Sequence, residues 1–248
     1  MAFLVFLFGL VIGSFLAAFT YRRPRNIAIS KGRSFCPNCK HSLAWYDNIP
    51  LFSYLYLRAK CRYCKKPISP RYFLIELSTG ILFLISYLIF PSIVDKLPYL
   101  FHISYLPSLI SVFLLIGLLV FIFVVDFENQ LILDESVWFG FLLILSLFFI
   151  SGYQNIWLNL LGGFLASLAL LFIYFATRGG GMGLGDVKFA LLGGTILGIP
   201  LAINWLLVSF IIGGIVGVIL LLFKFAKLKD KIAFGPFLVI GFLIVLFL

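Results

Sequence analysis

The apolar residues of this chain come in runs long enough to cross a bilayer, and that decides most of what it can fold into. Eight such runs are readable, roughly 2–20, 73–91, 106–126, 135–152, 155–176, 185–199, 202–222 and 233–248. About 20 apolar residues in a helix match the ~30 Å hydrocarbon core. The composition agrees: 63% of the 248 residues are hydrophobic, 11% are charged, and the mean hydropathy is +1.17. A soluble domain is about half apolar and about a quarter charged. Alternating ten-residue strands are absent, which argues against a transmembrane barrel. The expectation is an all-α polytopic membrane protein with about eight transmembrane helices. The least regular runs are the second, which carries Glu76, and the short sixth.

Charge sets the orientation. No cation precedes the first run, and YRRPR follows it from Tyr21 to Arg25. That is the reverse of a secretory signal, so the run reads as a retained span with its N-terminus outside. The inner segments are then 21–72, 127–134, 177–184 and 223–232. With Lys188 counted at the membrane edge, eighteen of the nineteen Lys and Arg fall inside, and Lys96 alone lies outside. Segment 92–105, with Pro98 and His102, reads as an outer loop. The net charge of +10 does not call for nucleic acid, because twelve of the cations lie between Tyr21 and Tyr72, where the positive-inside rule places them. The expected organisation is a first span over 1–20, a cytosolic insert over 21–72 and a membrane core over 73–248. No internal sequence repeat is visible.

The insert holds all four cysteines, as CPNC at Cys36 and Cys39 and CRYC at Cys61 and Cys64. Two C-x-x-C knuckles are how a chain wraps a tetrahedral thiolate site. The gap of 21 residues between them is one beyond the usual range. Disulfides do not suit a cytosolic segment. About fifty residues make a small core, which a metal would stabilise. A structural zinc is expected. A redox C-x-x-C would open a helix in a thioredoxin-like unit, which neither knuckle does. A catalytic zinc needs an open position, and four thiolates leave none. His41 reads as a bystander.

Nine acidic residues remain to be placed. Asp126 closes the third span and Asp186 opens the sixth, so both reach the inner membrane edge. A carboxylate there is costly and is a functional-site hypothesis by default. Two on different helices at one depth can share a proton, as in an aspartic protease. Asp186 follows TRGGGMGLG, in which five of the seven residues from Gly179 to Gly185 are glycine. Glycine opens conformations closed to other residues and permits close approach by a substrate chain. Taken alone, Asp186 reads equally well as a helix cap, and Asp134 reads the same way on the fourth span. Asp126 sits at a helix C-terminal end, where a negative charge is unfavourable, and is the more suspicious of the three. The glycines do not fall into G-x-G-x-x-G after a strand, which excludes a dinucleotide site.

These residues together resemble the type IV prepilin peptidases, membrane aspartyl proteases of the G-x-G-D type. The resemblance runs nearly end to end, through GSFLAAFTYRRP, the whole region from SFCPNC to LIELSTG, DFENQLILD, GLGDVK and FGPFLVIG. It implies that Asp126 and Asp186 are the catalytic pair, that Gly183 and Gly185 belong to the motif loop, and that Cys36, Cys39, Cys61 and Cys64 bind zinc. Lys188, Glu76 and Asp134 also stand at family positions. Lys188 reads as a lipid-phosphate contact, a partner for an acid, a substrate contact or ordinary snorkelling. Glu76 reads as a functional acid or as a buried structural one. The family removes the short basic leader of type IV prepilins and pseudopilins at the cytosolic face of the bacterial inner membrane. Many members then methylate the new N-terminus with S-adenosylmethionine. The chain departs from the family at Ala17, where Asn is usual, and at Leu133 and Ala233, where Pro is usual. The first bears on methyl transfer more than on proteolysis.

Two other classes compete. A proton- or cation-coupled transporter also uses intramembrane carboxylates, but near the midplane and with paired broken helices. A membrane-anchored zinc module would leave both aspartates unused. The insert carries twelve cations against Asp47 alone, so it reads as resting on anionic lipid headgroups rather than holding a basic leader.

Overall fold

The computed structural model describes residues 1–27, 34–100, 103–225 and 232–248. Its helices are α1 (Ala2–Arg22), α2 (Phe52–Tyr56), α3 (Pro70–Leu88), α4 (Phe90–Lys96), α5 (Tyr105–Asn129), α6 (Asp134–Ser151), α7 (Ile156–Ala176), α8 (Leu184–Leu222) and α9 (Gly235–Phe247). No strand occurs among the described residues. Six helices, α1, α3, α5, α6, α7 and α8, are long and apolar enough to span a bilayer, and α9 is a shorter apolar helix. The chain divides into two compact units, Met1–Leu88 and Ile89–Leu248. His102 and the lysines 227, 229 and 231 lie outside the described residues.

In the first unit, α1 packs on α3. Small residues let the two backbones meet: a Cβ added at Gly13 would lie 2.8 Å from the Cα of Glu76. The Arg71 guanidinium donates to the Ala17 carbonyl at 2.7 Å and to Thr20 Oγ1 at 2.6 Å. This places a cation against the unsatisfied carbonyl end of α1, where the helix dipole favours it.

The insert contains a repeat that composition does not reveal. Residues 35–43 and 60–68 fold alike, offset by 25 positions. Cys36 N–H donates to the His41 carbonyl, and Cys61 N–H to that of Lys66. Lys40 and Lys65 take the left-handed conformation, at φ 57° and 58°. A single bridge closes each knuckle, Phe35 with Ser42 and Lys60 with Pro67. Sequence hides the equivalence because only the cysteines, the two lysines and the turn chemistry are shared. The two knuckles meet through the His41 and Tyr63 rings, tilted by 35° with 3.7 Å between centroids. The Asp47 side chain is buried and takes a 2.8 Å ion pair from Arg62 of the second knuckle.

In the second unit, α8 is the organising element. It is a hairpin of two arms rather than one rod. Gly198 breaks it at φ 74°, ψ 173°, and Pro200 follows without an N–H to donate. The Phe189 and Trp205 rings lie 5.8 Å apart, whereas a straight helix would separate those positions by roughly 24 Å. The two arms are the two separate spans expected at 185–199 and 202–222. The carbonyls released at the break are satisfied from α7 and the η-turn before α5. Asn159 Nδ2 donates to the Thr195 carbonyl at 2.9 Å and, more weakly, to that of Ile196 at 3.5 Å. Tyr99 Oη donates to Ile196 at 3.4 Å. Each bond offsets the cost of a bare carbonyl in an apolar interior.

The second arm carries α9. Trp205 is fully buried and its indole N–H donates to the Leu238 carbonyl at 2.7 Å. Lys96 donates to the carbonyls of Val245 (3.1 Å) and Leu246 (3.4 Å) in the last turn of α9. The one cation that breaks the positive-inside pattern is thus engaged by a helix C-terminus. The two arms, α9 and the other five spans together make the eight apolar segments read from sequence.

Candidate active site

Asp126 lies in the last turn of α5. That helix runs three residues past the aspartate and ends at Gln130, which is left-handed at φ 51° and donates its N–H to the Asp126 carbonyl at 2.8 Å. Residues 131–133 lie outside any helix, Leu133 is extended, and α6 starts at Asp134 with two acids in its first turn. Asp186 lies in the first turn of α8, where its Oδ2 accepts the Gly183 N–H at 3.1 Å. It therefore does cap the helix, as half of a capping box.

Both carboxylates are nearly buried, Asp126 at 5% and Asp186 at 7% exposure. Both line one open cavity of about 530 Å³ between the ends of α5 and α8. Asp134, Glu135, Gly183, Gly185 and Lys188 line it too. Lys188 Nζ pairs with Asp134 Oδ1 at 2.6 Å, and both side chains are well exposed. Of the readings open for Lys188, the structure displays the partnership with an acid.

The two aspartates differ in their partners. Asp126 Oδ2 is the one buried side-chain oxygen or nitrogen without a hydrogen-bond partner among the described residues. Its neighbour is Gly235, the first residue of α9. A Cβ there would lie 2.5 Å from Asp126 Oδ2, so a larger residue would push the carboxyl away. Gly235 stands in the FGPF motif, but no local sequence pattern signals that it touches Asp126. A glycine before a proline reads as a helix start, and the contact joins positions more than a hundred residues apart. Glu135 also lines the cavity, and its sequence signal was only its place beside Asp134.

The glycine run works differently from the expectation of conformational freedom. Only Gly179 uses a positive φ, at 73°. Gly183 is extended at φ −86°, and Gly185 is helical. Gly185 serves close approach: a Cβ there would meet the Ile132 Cβ at 3.0 Å. The glycines bring the start of α8 against the 130–134 turn.

Glu76 is not part of this cavity. It belongs to the first unit, is buried, and its Oε2 accepts the Leu51 N–H at 2.8 Å. Leu51 sits at φ 58°, ψ −47°, so the carboxylate holds a strained residue at the entry to α2.

The four cysteines converge. Their sulfurs all lie within 4.8 Å of one another, with Cys36 and Cys64 3.9 Å apart. Tetrahedral thiolates at a Zn–S length of about 2.3 Å would stand about 3.8 Å apart, so the set fits such an ion with small adjustment. The thiols are not alike. Burial pushes Cys61 up, but N–H donation from Cys64 and Tyr63 and its thiol neighbours bring it down to about 7. At Cys39, N–H donation from His41 pulls down, but burial and the neighbouring thiols dominate and push it up to about 11.

Two buried carboxylates on one cavity of a helical membrane protein suit an acid enzyme or a proton-coupled carrier, and the comparisons decide between them. Residues 7–90 match the model of the bacterial peptidase A24 N-terminal domain, and residues 113–218 match that of the type IV leader peptidase family. A prepilin leader peptidase/N-methyltransferase of Vibrio cholerae is 33% identical over 96% of this chain and 93% of its own. One from Klebsiella pneumoniae is 32% identical over 78% and 84%. One from Myxococcus xanthus is 58% identical, over 33% of this chain and 25% of its own. No solved structure matches. The chain belongs to the type IV leader peptidase family of aspartic peptidases.

Proposed function

We infer that the chain removes the leader peptide of type IV prepilins or pseudopilins, with Asp126 and Asp186 as the catalytic pair. The observation that carries this is the shared cavity, which brings two buried carboxyls from opposite ends of the core to one solvent-accessible space. One carboxylate takes a proton from water as that water attacks the peptide carbonyl carbon. The other, protonated, donates to the carbonyl oxygen. The tetrahedral adduct collapses as the C–N bond breaks and the amine takes up a proton. Gly183, Gly185 and Gly235 keep the backbone close enough for the pair to meet around a substrate, and Lys188 with Asp134 forms the cavity rim.

The membrane face is inferred from charge. By the span order read from sequence, eighteen of nineteen cations fall in the segments assigned to the inner face, which supports a cytosolic site in the bacterial inner membrane. The insert over 21–72 is assigned as a zinc module, held by Cys36, Cys39, Cys61 and Cys64, that rests on anionic headgroups. The span over 1–20 anchors it, and the core over 73–248 does the chemistry. The relatives' names carry a second activity, N-methylation, whose donor would be S-adenosylmethionine.

The test is incubation of a prepilin with membranes holding wild type, Asp126→Asn or Asp186→Asn. Cleavage by wild type alone supports the pair. Wild-type rates from either variant would assign that aspartate a structural role. Mass spectrometry of the product amine reads methylation in the same experiment, and metal analysis of the purified chain should return one zinc.

A further inference from the structure

One surface of the insert lies outside both the cysteine cluster and the lining of the carboxylate cavity. Between Trp45 and Tyr56, six large apolar side chains face outward: Trp45, Tyr46, Ile49, Phe52, Leu55 and Tyr56. Four of them are more than 60% exposed: Trp45 79%, Phe52 63%, Leu55 63% and Tyr56 69%. They belong to one patch, because the turn over Trp45–Asn48 packs beside α2. The Phe52 and Tyr56 rings stack one helical turn apart, at 6.0 Å and 11°. An apolar face of this size on a water-exposed segment marks an interaction surface.

What covers it follows from where it is tied. Leu51, at the entry to α2, is hydrogen-bonded by the buried Glu76 carboxylate. Glu76 lies six residues into the spanning helix α3, roughly 9 Å along its axis. The patch is therefore held alongside a membrane helix, not out in water. Trp and Tyr concentrate at that level, with an apolar ring body and a polar tip. The surrounding segment carries twelve cations, the charge that anionic headgroups attract.

We propose that residues 45–56 form an interfacial wedge, with Trp45, Phe52, Leu55 and Tyr56 inserted into the bilayer at the headgroup–acyl boundary. Charge brings the insert to the surface, and the aromatic face fixes its depth. The wedge sets the height of the metal module against the membrane. It does not depend on the peptidase reading.

The full chain is reconstituted in nanodiscs that mix anionic phosphatidylglycerol with phosphatidylcholine brominated near the headgroup end of the acyl chains. The fluorescence of Trp45 is read as wild type minus Trp45→Phe. The expected result is a roughly twofold or greater loss of that difference signal relative to unbrominated lipid, persisting in 1 M salt, where screening acts within about 3 Å. Quenching by aqueous acrylamide but not by lipid bromine would overturn the wedge. Bromine quenching that vanishes at high salt would also overturn it, since charge alone would then hold the insert. Prepilin cleavage measured in the same discs separates failure of the wedge from failure of the peptidase assignment.

Discussion

Asp126 and Asp186 share a cavity but stand at opposite kinds of helix end. Asp186 is in the first turn of α8, where the Gly183 N–H holds one oxygen and the dipole favours its charge. Asp126 is in the last turn of α5, where the dipole opposes it and Oδ2 has no partner. One acid is fixed by its helix, and the other is held in place against it. The difference teaches that a cap and a catalytic group are not exclusive. Asp186 caps its helix and, on the proposed reading, also carries chemistry, while Asp126 stands against the dipole of its own helix with Gly235 of α9 beside it.

The sharpest way to break this comparison is to remove chemistry while sparing the cap. Asn at position 186 keeps an oxygen for the Gly183 N–H, so Asp186→Asn should fold normally and cut prepilin at least ~10³-fold more slowly. Asp126→Asn should do the same. Next in size is Gly235→Ala, whose Cβ would crowd Asp126 Oδ2 at 2.5 Å. Displacing that carboxyl should lower kcat by about 10- to 100-fold with an unchanged melting temperature; equal loss of both would mean damaged packing instead. Stability should then split the two acids. Asp186→Ala should cost about 1 kcal/mol in chemical unfolding through the lost cap, whereas Asp126→Ala should cost less, since its Oδ2 is unpartnered and the α5 dipole opposes its charge. The smallest effect is Lys188→Met. Its exposed pair with Asp134 should contribute less than about 1 kcal/mol, so a larger loss of stability would show the rim pair to be part of the core.

Much of this was legible in the residues. Hydropathy located the spans because a bilayer imposes a fixed apolar length. Spacing pointed to the four cysteines that converge because two knuckles have a fixed geometry. Asp126 and Asp186 stood out because charge at a span edge is costly. The rest depends on contacts that no local pattern encodes. Gly235 needed the position of α9 to acquire meaning. Asn159 looks like an ordinary polar residue near a helix start until the carbonyls of Thr195 and Ile196 are seen to need a donor. The end of α5 fell at Asn129 rather than Asp126, since Phe127, Glu128 and Asn129 continue the helix to the left-handed Gln130. The repeat of the two knuckles was hidden because it is conserved in backbone turns rather than in side chains.

The break in α8 also bears on how the chain enters the membrane during synthesis. Leu184–Leu222 offers the insertion machinery 39 residues without one charged group after Lys188, about 58 Å as a straight helix against a core of about 30 Å. No polar loop tells the machinery where one span stops and the next begins. The instruction is conformational: a glycine at an angle open to few other residues, then a proline that cannot donate. Substitutions at Gly198 and Pro200 therefore act on topology before they act on stability. A straightened α8 would carry everything after it, α9 and Gly235 included, to the wrong face, and Asp126 would lose its neighbour in a chain whose two aspartates were both intact.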